Sequence, residues 1–246
     1  LTQQMSMNVE QLKAVKQELT RFMMMYKFAL DEMNTKINIL QEEFKYIHSY
    51  NPIEHTKSRI KTPQSIFKKV QKKQLPISLD SIKENIHDIA GIRISCSFIS
   101  DIYKISDMLQ QQKDITVIEC KDYIKNAKPN GYQSLHLILE IPVFMSDREE
   151  NVKVEIQIRT VAMDFWASLE HKIYYKYKKT VPEHLLQELK EAADVAAELD
   201  LKMERIHEEV NHCKKEDNKD QQTFILDSQT FKLPYLLMKA ISESNG

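Results

Sequence analysis

From Asn151 to Thr160 the chain reads NVKVEIQIRT, and its side chains alternate in character at every step. Val154, Ile156 and Ile158 fall on one side; Lys153, Glu155, Gln157 and Arg159 fall on the other. A period of two belongs to a strand, in which next-but-one side chains stand roughly 6.5 Å apart on the same face. An acid, an amide and a guanidinium therefore share one face in register, while the opposite face must be buried. Such a face fits either the solvated side of an amphipathic strand or the floor of a metal-nucleotide site.

Three further segments alternate in the same way: Ile89 to Phe98, Ile115 to Cys120 and Ser134 to Phe144, which read as strands. Ser100 to Gln111 and Val161 to Tyr177 read as helices between and after them. To about His48, apolar residues recur in steps of three and four (Leu12, Val15, Leu19, Phe22, Tyr26, Leu30, Met33, Ile37), which predicts amphipathic helix, one long or two consecutive. Met23, Met24 and Met25 widen that stripe as core or oligomer contacts. A second helical block follows Pro182. The expected class is α+β, a mixed β-sheet flanked by helices, with helical region 1–50, central core 51–181, C-terminal helix 182–215, and linker and tail 216–246.

Composition removes several classes. Against 35 basic residues stand 36 acidic ones, so no global charge marks a duplex nucleic-acid binder. Three cysteines, widely spaced, suit neither a disulfide framework nor a zinc knuckle, and a reducing cytoplasm is expected. No apolar run approaches the roughly 20 residues of a membrane span. Glycine is scarce, with three in all, whereas P-loops and dinucleotide loops need several to bring backbone amides onto phosphates. A nucleotide here must be held by basic side chains and a metal.

Those basic side chains cluster. His55 to Leu79 carries Lys57, Arg59, Lys61, Lys68, Lys69, Lys72 and Lys73 and no acid. Thr62-Pro63 is a helix start, after which Ser65, Lys68, Lys69 and Lys72 have helical spacing; the run suits a polyphosphate or a solvated lysine face. Asp88 stands at the entrance of a strand that carries Arg93, where a carboxylate can hold Mg²⁺ against phosphate oxygens. Glu155 is its natural second ligand. In the turn NGYQSLH, Tyr132 is expected to be exposed and able to stack on a base, with Ser134 and His136 on one strand face. Only six arginines occur, and Arg59, Arg93 and Arg159 all lie in these segments; an arginine adds a flat face for bases and a fork for phosphates.

Taken together, Arg59-x-Lys61-x-x-x-Ser65, Asp88 to Arg93 (DIAGIR), Gly131 to His136 (GYQSLH) and Val154 to Thr160 (VEIQIRT) resemble the RelA/SpoT-type alarmone synthetases in order and spacing. The resemblance covers about Arg21 to Val210. At this length, with no hydrolase or ribosome-binding region read in it, the chain is similar to the small, synthetase-only members, with a nucleotidyltransferase-like core. The resemblance implies transfer of the β,γ-pyrophosphate of ATP to the 3′-hydroxyl of GDP or GTP, giving ppGpp or pppGpp and AMP, with Mg²⁺ as cofactor. It implies that Arg59 and Arg93 sandwich adenine and that Lys61, Ser65, Lys69 and Lys72 hold the ATP phosphates. Tyr132 stacks on guanine, with His136 and Lys128 near the acceptor. Asp88 binds metal; Glu155 ligates metal or takes the 3′-hydroxyl proton, supported by Gln157 and Arg159. Asp164 and Glu170 are candidates for reading the guanine edge.

Gln133 stands where many relatives carry arginine. By analogy the partners include further copies in a homotetramer, with no membrane; regulation by alarmone or RNA stays open. The alternatives are a nucleotidyltransferase and a nucleotide- or RNA-binding regulator. On a stacking account the ring of Tyr132 matters and its hydroxyl does not, so Tyr132→Phe is expected to be mild.

Overall fold

The computed structural model describes residues 8–47, 50–176, 181–217, 224–226 and 229–231. One unbroken helix, α1 (Val9–Ile47), replaces the choice of one or two. Its apolar stripe divides: Met25, Tyr26, Ala29, Leu30, Met33, Ile37 and Phe44 are buried, whereas Val9, Leu12 and Val15 are exposed. At 39 residues the helix is about 58 Å long, against roughly 20 Å for five strands side by side, so its first turns overhang the sheet. Of the methionines, Met25 is core, Met23 packs against it and Met24 faces outward.

The sheet comprises β1 (Ile53–Ile60), β2 (Ala90–Cys96), β5 (Glu149–Thr160), β4 (Leu135–Phe144) and β3 (Thr116–Asp122), in that spatial order. β2 and β5 run parallel and every other neighbour pair antiparallel, so the sheet is mixed as expected. β1 is the strand that alternation does not announce, because polar residues fill IEHTKSRI between its apolar ends. The connections are α2 (Pro63–Lys72) and α3 (Leu79–Asn85) between β1 and β2, and α4 (Ile99–Gln110) after β2. α5 (Val161–Lys176) and α6 (Glu183–Asp217) follow β5. The short strands β6 (Phe224–Leu226) and β7 (Gln229–Phe231) pair with each other. Most of the tail anticipated over 216–246 lies outside the described residues.

Ile92, Ile94, Leu137, Leu139, Val154, Ile156 and Ile158 join α1 and α4 (Ile102, Ile105, Leu109) in one buried cluster. Each such side chain contributes about 1.5–3 kcal/mol on burial, which locks the register. A slip of one residue would expose this set and bury the polar one. That polar face of the sheet is left for α5, which turns back over it.

Local chemistry sets the turns. Thr62 caps α2, accepting from the Ser65 amide at 3.3 Å, with Pro63 at the first helical position. Thr160 plays the same part for α5, accepting from the Met163 amide at 3.0 Å while donating to Asp200 of α6 at 2.6 Å. At the start of α4, Phe98 has no hydroxyl or carboxylate to cap with. Glu204 of α6 supplies the acceptor instead, 2.7 Å from the Ile99 amide and 3.2 Å from that of Ser100.

Candidate active site

Register builds the site from rows that cross the sheet. Arg59 pairs with Gly91, and Gly91 with Glu155; one row further, Lys57 pairs with Arg93, Arg93 with Gln157, and Gln157 with His136. These rows floor a cleft of about 500 Å³ that Tyr132 and α5 wall, with Arg59, Arg93, Glu155, Gln157, Arg159 and Glu170 among its lining. Gly91 keeps the floor low between Arg59 and Glu155; a Cβ there would already touch Arg59 at 3.8 Å and Glu155 at 3.9 Å.

Along β5 the polar side chains are joined by hydrogen bonds. Gln157 Nε2 donates to Glu155 Oε2 at 3.0 Å, and Arg159 Nη2 donates to Gln157 Oε1 at 2.7 Å. Arg159 Nη2 also donates to the Tyr132 hydroxyl at 2.6 Å. That hydroxyl lies 2.8 Å from His136 Nε2. Burial, with Arg159, Lys128 and Lys121 adding to it, lowers the His136 pKa to about 4, so at neutral pH the imidazole is uncharged and Nε2 can accept from the tyrosine. Tyr132 is thus half-buried rather than exposed, because its hydroxyl is drawn inward by the buried guanidinium. The Lys128 ammonium stands 4.7 Å from the Tyr132 ring centroid and 4.5 Å from that of Tyr123.

Asp88 lies in the turn before β2. Its Oδ2 is 2.6 Å from the Lys61 ammonium and 2.8 Å from that of Lys69. Burial pushes the Asp88 carboxyl up, but the hydrogen bonds and charges of Lys61 and Lys69 outweigh it and hold the pKa below the usual range. Glu155 goes the other way. Burial raises it first and the Asp88 charge raises it further, against the Gln157 hydrogen bond and the charges of Arg59 and Lys69. One carboxylate stays ionised while the other is suited to taking a proton, a divergence typical of acid-base sites.

Asp88 Oδ1 is buried with no hydrogen-bond partner, a cost that a cation would remove. Among the described residues no group of three or more His, Cys, Asp or Glu could hold a metal. Two carboxylates with an orphaned oxygen nevertheless fit Mg²⁺, which is commonly bound by one or two carboxylates together with substrate phosphates.

The remaining candidates divide. Ser65 and Lys72 are exposed on α2, and the Ser65 hydroxyl sits 3.0 Å from that of Thr62. Asp164 is buried, with Oδ1 3.0 Å from Arg93 Nη1 and 3.3 Å from Arg159 Nη1, and Oδ2 3.7 Å from His55. Its carboxylate is committed to guanidiniums. Glu170 lines the cleft and accepts from Asn130 at 3.4 Å. Lys57, Ser168, His171 and Lys172 also line the cleft, although none of them is among the individual site residues expected from the sequence. The α5 residues follow Asp164 at helical steps of four, seven and eight, which was a usable signal.

A family model described as a region found in RelA / SpoT proteins matches residues 58–180. The GTP pyrophosphokinase YwaC of Bacillus subtilis (strain 168) is 54% identical over 204 residues, covering 83% of this chain and 97% of that one. The chain belongs to the RelA/SpoT family. The RelA/SpoT span runs from β1 to just beyond α5 and contains Arg59, Asp88, Tyr132 and Glu155. A crystal structure of small alarmone synthetase 2 from Bacillus subtilis superposes with a TM-score of 0.72 at 54% identity, covering 78% of this chain and 99% of that one. Small alarmone synthetase 1 from the same organism, bound to its product pppGpp, gives a TM-score of 0.73 at 39% identity, covering 78% and 98%. The mixed sheet and its terminal helices are therefore the RelA/SpoT synthetase fold.

Proposed function

We propose that this chain is a GTP pyrophosphokinase: it transfers the β,γ-pyrophosphate of ATP to the ribose 3′-hydroxyl of GDP or GTP, forming ppGpp or pppGpp and AMP. The observation that carries this reading is the pairing of Asp88, clamped by Lys61 and Lys69 with one oxygen bare, with Glu155, whose proton affinity is raised. Pyrophosphoryl transfer asks for alignment and charge neutralisation more than for covalent intermediates.

On the ATP side, Arg59 and Arg93 offer flat faces to adenine, and Asp164 holds Arg93 in place through Nη1. Lys61 and Lys69 are set to exchange Asp88 for phosphate oxygens, with Ser65 and Lys72 further along α2 for the phosphate tail. On the acceptor side, Tyr132 meets guanine, and Lys128, His136, Arg159 and Glu170 frame the nucleotide. Asp88 and Glu155 would hold Mg²⁺, which supplies neutralising charge on the transferred phosphates. Glu155 takes the proton of the 3′-hydroxyl as its oxygen bonds to the β-phosphorus. The bond from that phosphorus to the α-phosphate oxygen breaks, and AMP departs. Gln157 and Arg159 hold Glu155 in line through the β5 hydrogen bonds.

Residues 51–181 serve as the catalytic core in this reading. The substrates and the free cysteines suit a cytoplasmic enzyme, and among the described residues no helix is long and apolar enough to cross a membrane. A homo-oligomer, a tetramer by family analogy, suits the exposed Leu12, Val195, Leu199 and Leu201 on α1 and α6. Incubation with γ-labelled ATP, GDP and Mg²⁺ tests the reaction. Label should enter a guanosine product with stoichiometric AMP; label in free pyrophosphate, with AMP joined to the acceptor, would mean nucleotidyl transfer instead.

A further inference from the structure

The turn that delivers Tyr132 to the cleft rests on α6 with no side chain of its own between them. Gly131 has φ +85°, and a Cβ built on it would lie 2.4 Å from the Ala193 Cβ and 3.6 Å from the Lys190 carbonyl. Two independent constraints thus demand glycine there: the left-handed backbone and the helix surface against it. The turn is also closed on itself. The Gly131 amide donates to Lys128 O at 2.8 Å and the Lys128 amide to Tyr132 O at 3.1 Å, while the Tyr132 amide donates to the Asn130 side chain at 3.2 Å.

Around this contact lies a second small core, separate from the main one. Trp166, Ala167 and Ala193 are buried together and Tyr132 packs against them. The Trp166 indole donates to Leu189 O at 2.8 Å, the carbonyl one helical turn before Ala193. Turn, α5 and α6 therefore meet on one stretch of α6 backbone. Close-packed interiors transmit displacement rather than absorb it.

We infer that α6 is the seat of the acceptor-recognition turn and that Ala193 is a positioning residue for the guanine nucleotide. This rests on the pyrophosphokinase reading for the identity of that nucleotide. Atoms added at position 193 push the turn off its seat and carry Tyr132 away from Arg159 and His136. On the ATP side Arg59 stands on β1, Lys69 on α2, Asp88 in the turn before β2 and Arg93 on β2, and none of these residues belongs to the small core around Ala193, so that side is spared.

The test compares Ala193→Val and the smaller Ala193→Ser with Ala192→Val, the same substitution at the exposed neighbouring position. Trp166 is the one tryptophan in the chain and shares the small core with Ala193 and Tyr132, so its emission is the expected readout of GDP binding, without turnover. Expected are an emission change on adding GDP to the native protein and, in Ala193→Val, about a tenfold rise in the GDP KM and Kd with the ATP KM within about twofold, since small misplacements of a substrate-positioning group are costly. Ala193→Ser should shift less in the same direction, and Ala192→Val not at all. Equal rises in both KM values, an unchanged GDP KM, a matching effect in Ala192→Val, or no emission response to GDP each overturn the inference. If Ala193→Val loses its circular dichroism, Ala193→Ser decides by the same criterion: a GDP-only rise supports the inference and none overturns it. Native protein that binds GDP but yields no labelled guanosine product defeats the pyrophosphokinase reading alone, and the emission titration still decides the role of Ala193.

Discussion

Arg159 donates to the Tyr132 hydroxyl at 2.6 Å, from a side chain only 4% exposed. The hydroxyl is therefore a structural partner as well as the end of the ring proposed to stack on guanine, which changes what Tyr132→Phe should do. Phenylalanine keeps the ring but removes a partner from both the buried guanidinium and His136, a loss of about 1–3 kcal/mol for groups that stay buried. The expected outcome is a raised acceptor KM in Tyr132→Phe, smaller than that of Tyr132→Ala, with ATP use little changed in both. Wild-type acceptor kinetics in Tyr132→Phe would restore the stacking-only account.

Asp88→Asn and Glu155→Gln should each lower turnover by at least about a hundredfold. The reasons differ. Asparagine at position 88 removes the charge that holds Lys61 and Lys69, whereas glutamine at position 155 keeps an acceptor for Gln157 but cannot take a proton. Single-turnover rates measure the loss, and urea denaturation checks that Glu155→Gln retains its fold. Appreciable turnover in both variants would sink the assignment of the carboxylate pair.

Asp164→Asn should be costly in stability as well as activity. It leaves the guanidiniums of Arg93 and Arg159 uncompensated, and the Arg159 pair is buried on both sides, at 4% and 9% exposure. Breaking such a pair from one side costs about 3 kcal/mol or more. A urea midpoint indistinguishable from that of the native protein would show that Asp164 is dispensable to the two arginines.

Asp200 links stability to pH. Burial first, with the Glu204 charge adding and the Thr160 hydrogen bond opposing, raises its pKa from 3.8 to about 6. The folded pKa exceeds the unfolded one, so folding favours the protonated form. That stabilisation is full below pH 3.8 and is lost as pH rises through about 6. Asp200→Asn, neutral throughout and still able to accept from Thr160, should be more stable than the native protein at pH 8, by on the order of 2 kcal/mol. The advantage should shrink steadily below pH 6. Urea curves at pH 8 and pH 5 decide; an advantage independent of pH would rule out titration of Asp200 as its cause.

Much of this was legible along the chain. Period-two alternation identified β4 and β5, because burying one face of a strand imposes that pattern on the residues themselves; the same alternation in sequence marked β2 and β3, although β2 is buried at nearly every residue and β3 is exposed along almost all of its length. Thr62-Pro63 announced α2 through the same local chemistry that caps it. Glu155, Gln157 and Arg159 could be placed on one face by strand geometry alone, and their association with Arg59, Asp88 and Tyr132 followed from motif order. β1 escaped notice because an edge strand whose polar residues serve a cleft has no alternation to show.

Pairing between distant elements was decided elsewhere. Strand register sets Glu155 beside Gly91 and Gly91 beside Arg59, and nothing in the spacing of residues 59, 91 and 155 encodes it. Lys61 and Lys69 converge on Asp88 only once α2 packs beside the turn before β2, and Asp164 meets Arg93 only when α5 folds back over the sheet. The inward turn of the Tyr132 hydroxyl and the seat of Gly131 on Ala193 belong to the same category. Local sequence determined which residues could carry charge, stack or cap. Burial decided which of those groups face one another, because desolvation makes an unpartnered charge or hydroxyl costly and so selects the arrangement that pairs it.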